Sequence, residues 1–530
     1  MFNSQAQQLG SQIASLQPRQ IGAIALFYPI LEALRIRESV TAIVPSEADV
    51  NLGQVVILLV LNRLLDPQPL YQVGAWFTDT VLPEVLAVPA AKVYDNRLGR
   101  ALEHLHPYWG ELWARTVSQA VQTYALDLGV LHWDITSLYF AGAYTDSELI
   151  AYGYSRDHRS DCKQINLEVD VTHDGHVPVL YQPLAGNTAD ITRPEPHLRH
   201  LLQFLQRPEL VEQQLRPILV SDCKMVTPEA VQACHQHALY YLGPLPNGVA
   251  TTAVLESVNA AKLAAHPLAY RPQRISAPDP NFVPYQGVWR PFTFALADQT
   301  FSDRALVVWS AGKHRLDEQK RKTHLKRLLN QLAALQAKLN TRRYKERRYV
   351  EQRLTSIQQG NAAKGLLDIQ LEGTDTALQL RFRINRTHLA RAQALDGRYA
   401  LATNATHLDA DAALTLFKGQ DGVEKRFRTA KGPLLVRPVF VHSDERLEGL
   451  VAITLFALLT GAILERTCRQ NGLALTTQRL VRAFAPLQVV DVTWADGSRQ
   501  RQLTEVTTPQ KQILTALDWP LPERYASTSS

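Results

Sequence analysis

Cysteine is scarce in this chain. Among 530 residues there are four, Cys162, Cys223, Cys234 and Cys468. Their spacing is irregular and fits no zinc pattern, even with His235 and His237 close to Cys234. Scattered thiols of this kind belong to a reduced, cytosolic protein rather than to a disulfide framework. A long apolar run is also missing. The longest, Gly449–Leu464, lies between Glu448 and Glu465. It falls short of the roughly 18 to 20 residues a membrane span needs, so a buried helix is expected and no membrane partner. Met1 leads into the polar stretch FNSQAQQLGSQ, which excludes a signal peptide from the expectation. An extreme charge balance is lacking too. The net charge is +6 and the pI is about 9.0, which is compatible with a polyanionic partner without requiring one.

What is present points to several domains, since a domain takes about 150 residues. Residues 1–130 read as a helical N-terminal domain. Gly22–Leu34 and Leu52–Leu65 are apolar with helical periodicity, and Asp66-Pro67 closes the second. Asp95 or Asn96 caps a helix from about Leu98, Pro107 breaks it, and another runs to about Leu126. Such a module packs on the neighbouring α/β segment or binds a ligand such as DNA. Over 131–244 the pattern becomes mixed α/β. Leu131–Phe140, Gln164–Thr172 and Val177–Gly186 read as antiparallel strands, the last two joined by His173-Asp174-Gly175-His176. A helix around His197–Leu205, a short buried strand ending at Asp222, a helix from Thr227-Pro228-Glu229 and a strand in Ala238–Pro246 complete the segment.

Residues 245–397 read as a β-rich insertion with a long helical projection. Thr293–Leu296, Ala305–Trp309, Leu366–Glu372 and Ala377–Ile384 are strand-like. Between them Leu325, Leu328, Leu332, Leu335 and Leu339 step by three and four, as in a helical hairpin folding back after Asn340. Its other faces carry Lys320, Arg321, Lys322, Lys326, Arg327, Arg342, Arg343, Arg347 and Arg348. These form either a solvated face or a phosphate-contacting arm. The α/β pattern resumes over 398–480 with the strand Arg398–Asn404, a helix from about Asp411 to Lys431 and the apolar helix 447–466. Residues 481–530 supply a hairpin about Asp496-Gly497 and a short helix.

One carboxylate, Asp134, sits in the apolar strand Leu131–Phe140, and Asp222 ends a second strand. Each either caps an element or holds a metal. On the 411–431 helix, spacings of three, four and seven put Phe417, Gln420, Glu424 and Lys431 on one face. A carboxylate followed by an ammonium in that order suits a metal ion and a phosphate; on an isolated helix it is equally a surface coincidence.

Taken in order, WDIT with Asp134, GYSRDHRSD (Gly153–Asp161), AGNTAD (Ala185–Asp190), PILVSD with Asp222, DGRYALATN (Asp396–Asn404) and VEKRFRTAKGPLLVRPVF (Val423–Phe440) span nearly the whole chain. With them the chain resembles bacterial insertion-sequence transposases of the DDE type. Within these it is similar to the branch with a β-rich insertion before the Glu and a Tyr-Arg-Glu-Lys signature on the Glu helix. The resemblance implies a ribonuclease-H-like mixed-sheet core and Asp134, Asp222 and Glu424 as the catalytic and metal-binding triad. Glu448 in ERLEG is a rival acid, but only Glu424 has a Lys seven residues on. The signature's Tyr and Arg correspond to Phe417 and Gln420, so the hydroxyl and the charge are missing here. The resemblance further implies two Mg²⁺ ions, with Mn²⁺ able to substitute, activating the attacking oxygen and stabilising the leaving one. Lys431, Gln420, Lys322 and Arg327 would contact DNA, and Trp289 and Trp309 would stack on a base turned out of a hairpinned end. The implied partners are element-end and target DNA duplexes and a second copy of the chain. The implied setting is the bacterial cytoplasm, at the nucleoid when bound. Two other functions fit the same residues: a DNA-binding protein derived from a transposase whose site has lapsed, and a ribonuclease-H-like nuclease without strand transfer.

Overall fold

The computed structural model describes residues 13–140, 144–145, 147–154, 159, 161–222, 225–272, 282–432, 434 and 443–526. Cys223, part of the GYSRDHRSD stretch and residues 433 and 435–440 of the last motif lie outside these. The described strands, in chain order, are β1 (Ile13–Gln20), β2 (Val130–Phe140), β3 (Lys163–Thr172), β4 (Pro178–Ala185), β5 (Ile218–Val220), β6 (Tyr240–Pro244), β7 (Gln286–Leu296), β8 (Gln299–Trp309), β9 (Leu367–Glu372), β10 (Gln379–Ile384), β11 (Arg398–Thr403), β12 (Gln488–Trp494) and β13 (Arg499–Leu503). The chain forms two compact units: Met1–Ser221 with Gly419–Ser530, and Asp222–Lys418.

In the first unit the strands run in the order β4-β3-β2-β5. β2 pairs antiparallel with β3 from Leu131↔Thr172 to Phe140↔Lys163, which sets Asp134 opposite Val169. β3 pairs antiparallel with β4, and β5 lies parallel to β2 with His132 beside Val220. The β3–β4 connection is tight because Gly175 takes φ +87°, a conformation open to glycine, and His176 comes next at +50°. The core of this unit is the helix Asp444–Gln470. Ser443 caps it by accepting from the Arg446 N–H at 3.3 Å. It packs against the helices Ile24–Ala33, Leu52–Leu65 and Asp95–Leu105 and against β4. The helical N-terminal segment is therefore built into the core of this unit. At 27 residues the helix is longer than its apolar run suggests, and by length and composition it would cross a membrane. Here 94% of its most apolar window is buried in protein.

A second sheet of this unit has the order β1-β12-β13. β1 is not expected from the sequence. Its residues IASLQPRQ alternate weakly, are mostly exposed and include Pro18. A proline is tolerated there because β1 is an edge strand, where one missing N–H costs little.

The second unit has the order β6-β11-β8-β7, with β11 antiparallel to both β6 and β8. Its helical projection is the hairpin expected from the leucine spacing, Ala311–Gln336 and Arg347–Gln358. Leu328, Leu332 and Leu335 are buried against Val350 and Leu354 and against Leu367, Leu378 and Leu380 of the β9–β10 region.

The helix expected from about Asp411 to Lys431 is two helices, Ala410–Lys418 and Asp421–Lys431. The sequence Gly419-Gln420-Asp421-Gly422 places two poor helix formers within four residues and breaks the run.

In the first unit, Phe456 is fully buried with ring centroids 6.3 Å from Trp109 and 5.2 Å from Trp113. Phe456→Ala is expected to lower unfolding stability by about 3–5 kcal/mol. Denaturant titration checks this, and an unchanged midpoint would mean that these aromatic contacts do not hold the core.

Candidate active site

Asp134 is half-buried on β2, between the buried pairs His132-Trp133 and Ile135-Thr136. Its Oδ1 accepts from the Ile135 N–H at 2.8 Å. Glu424 lies exposed in the first turn of Asp421–Lys431, and Lys431 ends that helix. Both charges suit the helix dipole, acidic at the start and basic at the end. Asp222 is half-buried two residues after β5, and its carbonyl accepts from the Met225 N–H at 3.3 Å.

Gln420, immediately before the Glu424 helix, is engaged at both ends of its amide. Its Nε2 donates to the Trp133 carbonyl at 2.8 Å, and its Oε1 lies 3.0 Å from His132 Nδ1. His132 is fully buried, and its Nε2 lies 2.9 Å from His173 Nδ1. The Glu424 helix has a second anchor. Arg426 donates to the carbonyls of Gly175 at 2.7 Å and His176 at 3.0 Å, and pairs with Glu465 at 2.8 Å. Gly422 is required there, because a Cβ would fall 2.2 Å from the His176 ring. Burial depresses His132 to about 3, against the Gln420 hydrogen bond, and with Arg426 it takes His176 to about 4. Burial also lowers His173, against Asp174 and Asp127. His132 and His176 are therefore uncharged at neutral pH.

The single helix expected through Phe417, Gln420, Glu424 and Lys431 divides at Gly419-Gln420, which leaves Glu424 and Lys431 seven residues apart on Asp421–Lys431 and Phe417 on Ala410–Lys418. Phe417 belongs to the other unit, where its ring lies 6.3 Å from Tyr399 with the Lys418 ammonium 5.7 Å away. Gln420 reaches a strand and a histidine within the fold. His132, His173, His176 and Arg426 do not stand out in the sequence as site residues. The available signal was His132, two residues before Asp134 and so on the same face of β2.

The opposite face of β2 carries a second polar group, in a stretch that reads from sequence as plain strand. Trp133 and Ile135 pair with Asp170 and Glu168 of β3. Glu168 bonds Arg193 at 2.9 Å. His197 stacks on Trp133 at 4.8 Å, with Nε2 3.3 Å from Asp170 and Nδ1 3.7 Å from Glu168. Burial disfavours the imidazolium, but the two carboxylates outweigh it and raise His197 to about 9. Burial also works against charge on Glu168, yet His197 and Arg193 leave it below the ordinary value.

In the second unit, the Arg304 guanidinium lies 4.0 Å over the Trp289 ring, covering one face. Trp309 borders a cavity of about 600 Å³ together with Val258, Leu263, His314, Arg391 and Arg398. On the basic arm Lys322 is exposed and pairs with Glu318 at 2.8 Å, and Arg327 is exposed. Arg321 turns inward and pairs with the buried Asp396. In the first unit, the rival acid Glu448 pairs with His106 at 3.4 Å. Among the described residues no group of three or more His, Cys, Asp or Glu side chains is gathered to hold a metal ion.

No family model matches the chain, and no curated protein is similar to it. Solved structures show distant likenesses. A piggyBac transposase in a synaptic complex with hairpin DNA has a TM-score of 0.38 at 9% identity, over 89% of this chain and 82% of that one. The Mos1 mariner paired-end complex with Mn has a TM-score of 0.17 at 20% identity, over 36% and 58%. The Mos1 strand transfer complex has a TM-score of 0.15 at 16% identity, over 40% and 61%. The chain thus spans about three fifths of the Mos1 chains. Likenesses this weak carry no argument about function.

The His197 group sets a pH dependence. Its value in the folded protein lies above the ordinary 6.5, so its contribution to stability is complete below about pH 6.5 and is lost as pH rises through about 9. The loss is on the order of 3 kcal/mol. Unfolding midpoints measured from pH 6 to 9.5 should fall in the wild type and fall less in His197→Gln. An equal fall in both would assign the effect to another group.

Proposed function

We propose that the chain is a DDE-type transposase that cuts and joins DNA phosphodiesters, with Asp134, Asp222 and Glu424 as its catalytic carboxylates. The observation that carries this reading is the ordered series of motifs from WDIT to VEKRFRTAKGP around an insertion of this size. Three further features support it. Asp134 lies on a strand with an antiparallel neighbour on one side and a parallel one on the other. The insertion carries its own strands and a helical hairpin. The Glu424 helix packs on the Asp134 strand.

The donor set suits a hard divalent cation, because each of the three residues offers carboxylate oxygens. Asp134, Asp222 and Glu424 would hold two Mg²⁺ or Mn²⁺ ions, which when bound would activate the attacking oxygen and stabilise the leaving one. Asp134 and Glu424 belong to one unit, and Asp222 begins the other. Lys431 would hold a neighbouring phosphate as a point charge. Lys320, Lys322, Lys326 and Arg327 are exposed on the arm and would track a duplex backbone. Of the two tryptophans, Trp309 has an open cavity beside it and is the better receiver of a base turned out of the stack, since Trp289 lies under Arg304. Pairing two element ends would take two copies of the chain. A second reading, a DNA-binding protein with a lapsed site, is motivated by Phe417 and Gln420, which stand where the resembled signature has Tyr and Arg.

Cleavage of DNA carrying the element's own ends separates the two. Asp134→Asn, Asp222→Asn and Glu424→Gln should each abolish cutting in Mg²⁺ and leave binding to the ends intact. A variant that cuts at the wild-type rate would remove that residue from the site, and a wild type that binds but never cuts would favour the lapsed protein.

Neutralising Lys320, Lys322, Lys326 and Arg327 tests the arm. If they bind phosphates, the slope of log affinity against log salt should shallow by about 0.9 for each phosphate no longer neutralised. An unchanged slope would take the arm out of the interface. Arg321 is kept in this variant because it holds Asp396.

A further inference from the structure

We infer that His173, His132 and Gln420 form a one-way chain of hydrogen bonds that positions the Glu424 helix on the strand carrying Asp134. This rests on the reading of those two carboxylates as catalytic. The direction of the chain is set by its last link. The Trp133 carbonyl can only accept, so the Gln420 atom 2.8 Å from it is the amide nitrogen. The amide oxygen is then the atom 3.0 Å from His132 Nδ1, and it too can only accept. Nδ1 of His132 must therefore carry the proton. A neutral imidazole has one N–H, so His132 Nε2 presents a lone pair, and His173 Nδ1 at 2.9 Å donates to it. Every group in the chain has a single permitted role, and each rotamer and tautomer is dictated by the next.

The two ends of the chain give it its purpose. One end is the peptide leading directly into Asp134. The other is His173, in the β3–β4 turn, whose Gly175 and His176 carbonyls also hold Arg426 of the Glu424 helix. The start of that helix is thereby tied to the strand and to the turn beside it. With His132 fully buried, a shift of the helix would leave buried polar atoms unpaired, which costs about 1–3 kcal/mol for each. This gives the departure from the resembled signature a physical meaning. An arginine at position 420 has five donors and no acceptor, so it could not receive the His132 Nδ1–H. Gln420 and His132 are a matched pair, and the lost charge is exchanged for a fixed geometry.

The test has a spectroscopic arm and a kinetic arm, both on the full chain. With ¹⁵N-labelled histidine, the His132 signals are assigned by their loss in His132→Asn. They should show a protonated Nδ1 and an unprotonated Nε2, the tautomer less favoured in free histidine; the opposite tautomer would overturn the chain. In single-turnover cleavage of pre-bound end DNA, His132→Leu and Gln420→Arg should slow cutting on the order of 100-fold, since a misplacement of about 1 Å can cost that much. End affinity should not change in His132→Leu. His132→Asn puts an amide nitrogen near the Nδ1 position and should keep the rate within about tenfold of the wild type, whereas His132→Gln, which reaches the Nε2 position, should not. Wild-type rates in Gln420→Arg, or a His132→Asn as slow as His132→Leu, would overturn the positioning role. Gln420 is partly exposed, so its variant keeps the test open if His132→Leu does not fold. A wild type that cuts nothing defeats the transposase reading alone, and the tautomer still decides the chain.

Discussion

Strand β2 has buried polar groups beside both of its faces, and on the His132 face the first unit supplies matching hydrogen-bond partners. A buried polar atom without a partner costs as much as several good contacts return, so such groups dictate what packs beside them. On one face His132 needs a donor and an acceptor, which His173 and Gln420 supply. On the other, Trp133 lies against His197 and the two β3 carboxylates. A purely apolar strand would accept many neighbours in many registers. This one accepts only elements that bring complementary polar groups to fixed places.

That constraint explains why the Glu424 helix begins where it does. The helix could have continued from Ala410 through Lys431 on hydrophobic pattern alone. The Gly-Gln-Asp-Gly sequence breaks it, and the break frees Gln420 to reach the strand and lets Gly422 lie against His176. Arg426 then closes the junction with two backbone carbonyls of the β3–β4 turn and with Glu465. Removing one partner of a buried ion pair of this kind leaves an uncompensated charge, which costs about 3–5 kcal/mol.

Much of this is legible in the sequence, for physical reasons that also mark where legibility ends. Leu52–Leu65 reads correctly to the residue because an apolar period and the Asp66-Pro67 stop coincide. The β3–β4 hairpin is legible because Asp-Gly permits the φ that its turn requires. The leucines of the 311–358 hairpin are legible because their spacing is that of a buried seam. β1 is not, because pairing with β12, about 470 residues away, makes it a strand, and nothing local does so. The helix break is hidden by a periodicity that runs across two glycines and masks their cost. The buried cluster of Glu168, Asp170 and His197 is hidden for a deeper reason. Charged residues in a strand pattern look solvent-facing until the sheet has neighbours on both sides. Of the candidate site, the residue types and their order are legible, but which side chains meet is not.

Arg321 and Gln420 carry the same lesson from different directions. Both belong, by sequence, to a set expected to touch DNA, and each proves to be committed inside the fold, to Asp396 in one case and to His132 and Trp133 in the other. A charged or polar residue in a basic run or a signature motif has two possible uses, and composition cannot rank them. Burial can. Arg321 and Asp396 are both largely removed from solvent, where leaving either one alone would cost more than the pair gains, so the fold has first claim on them. Lys322 and Arg327 remain exposed, Lys322 with an i, i+4 ion pair worth little in water, so either can exchange its present surroundings for a phosphate at almost no cost. The residues free to act on a ligand are those the core does not need.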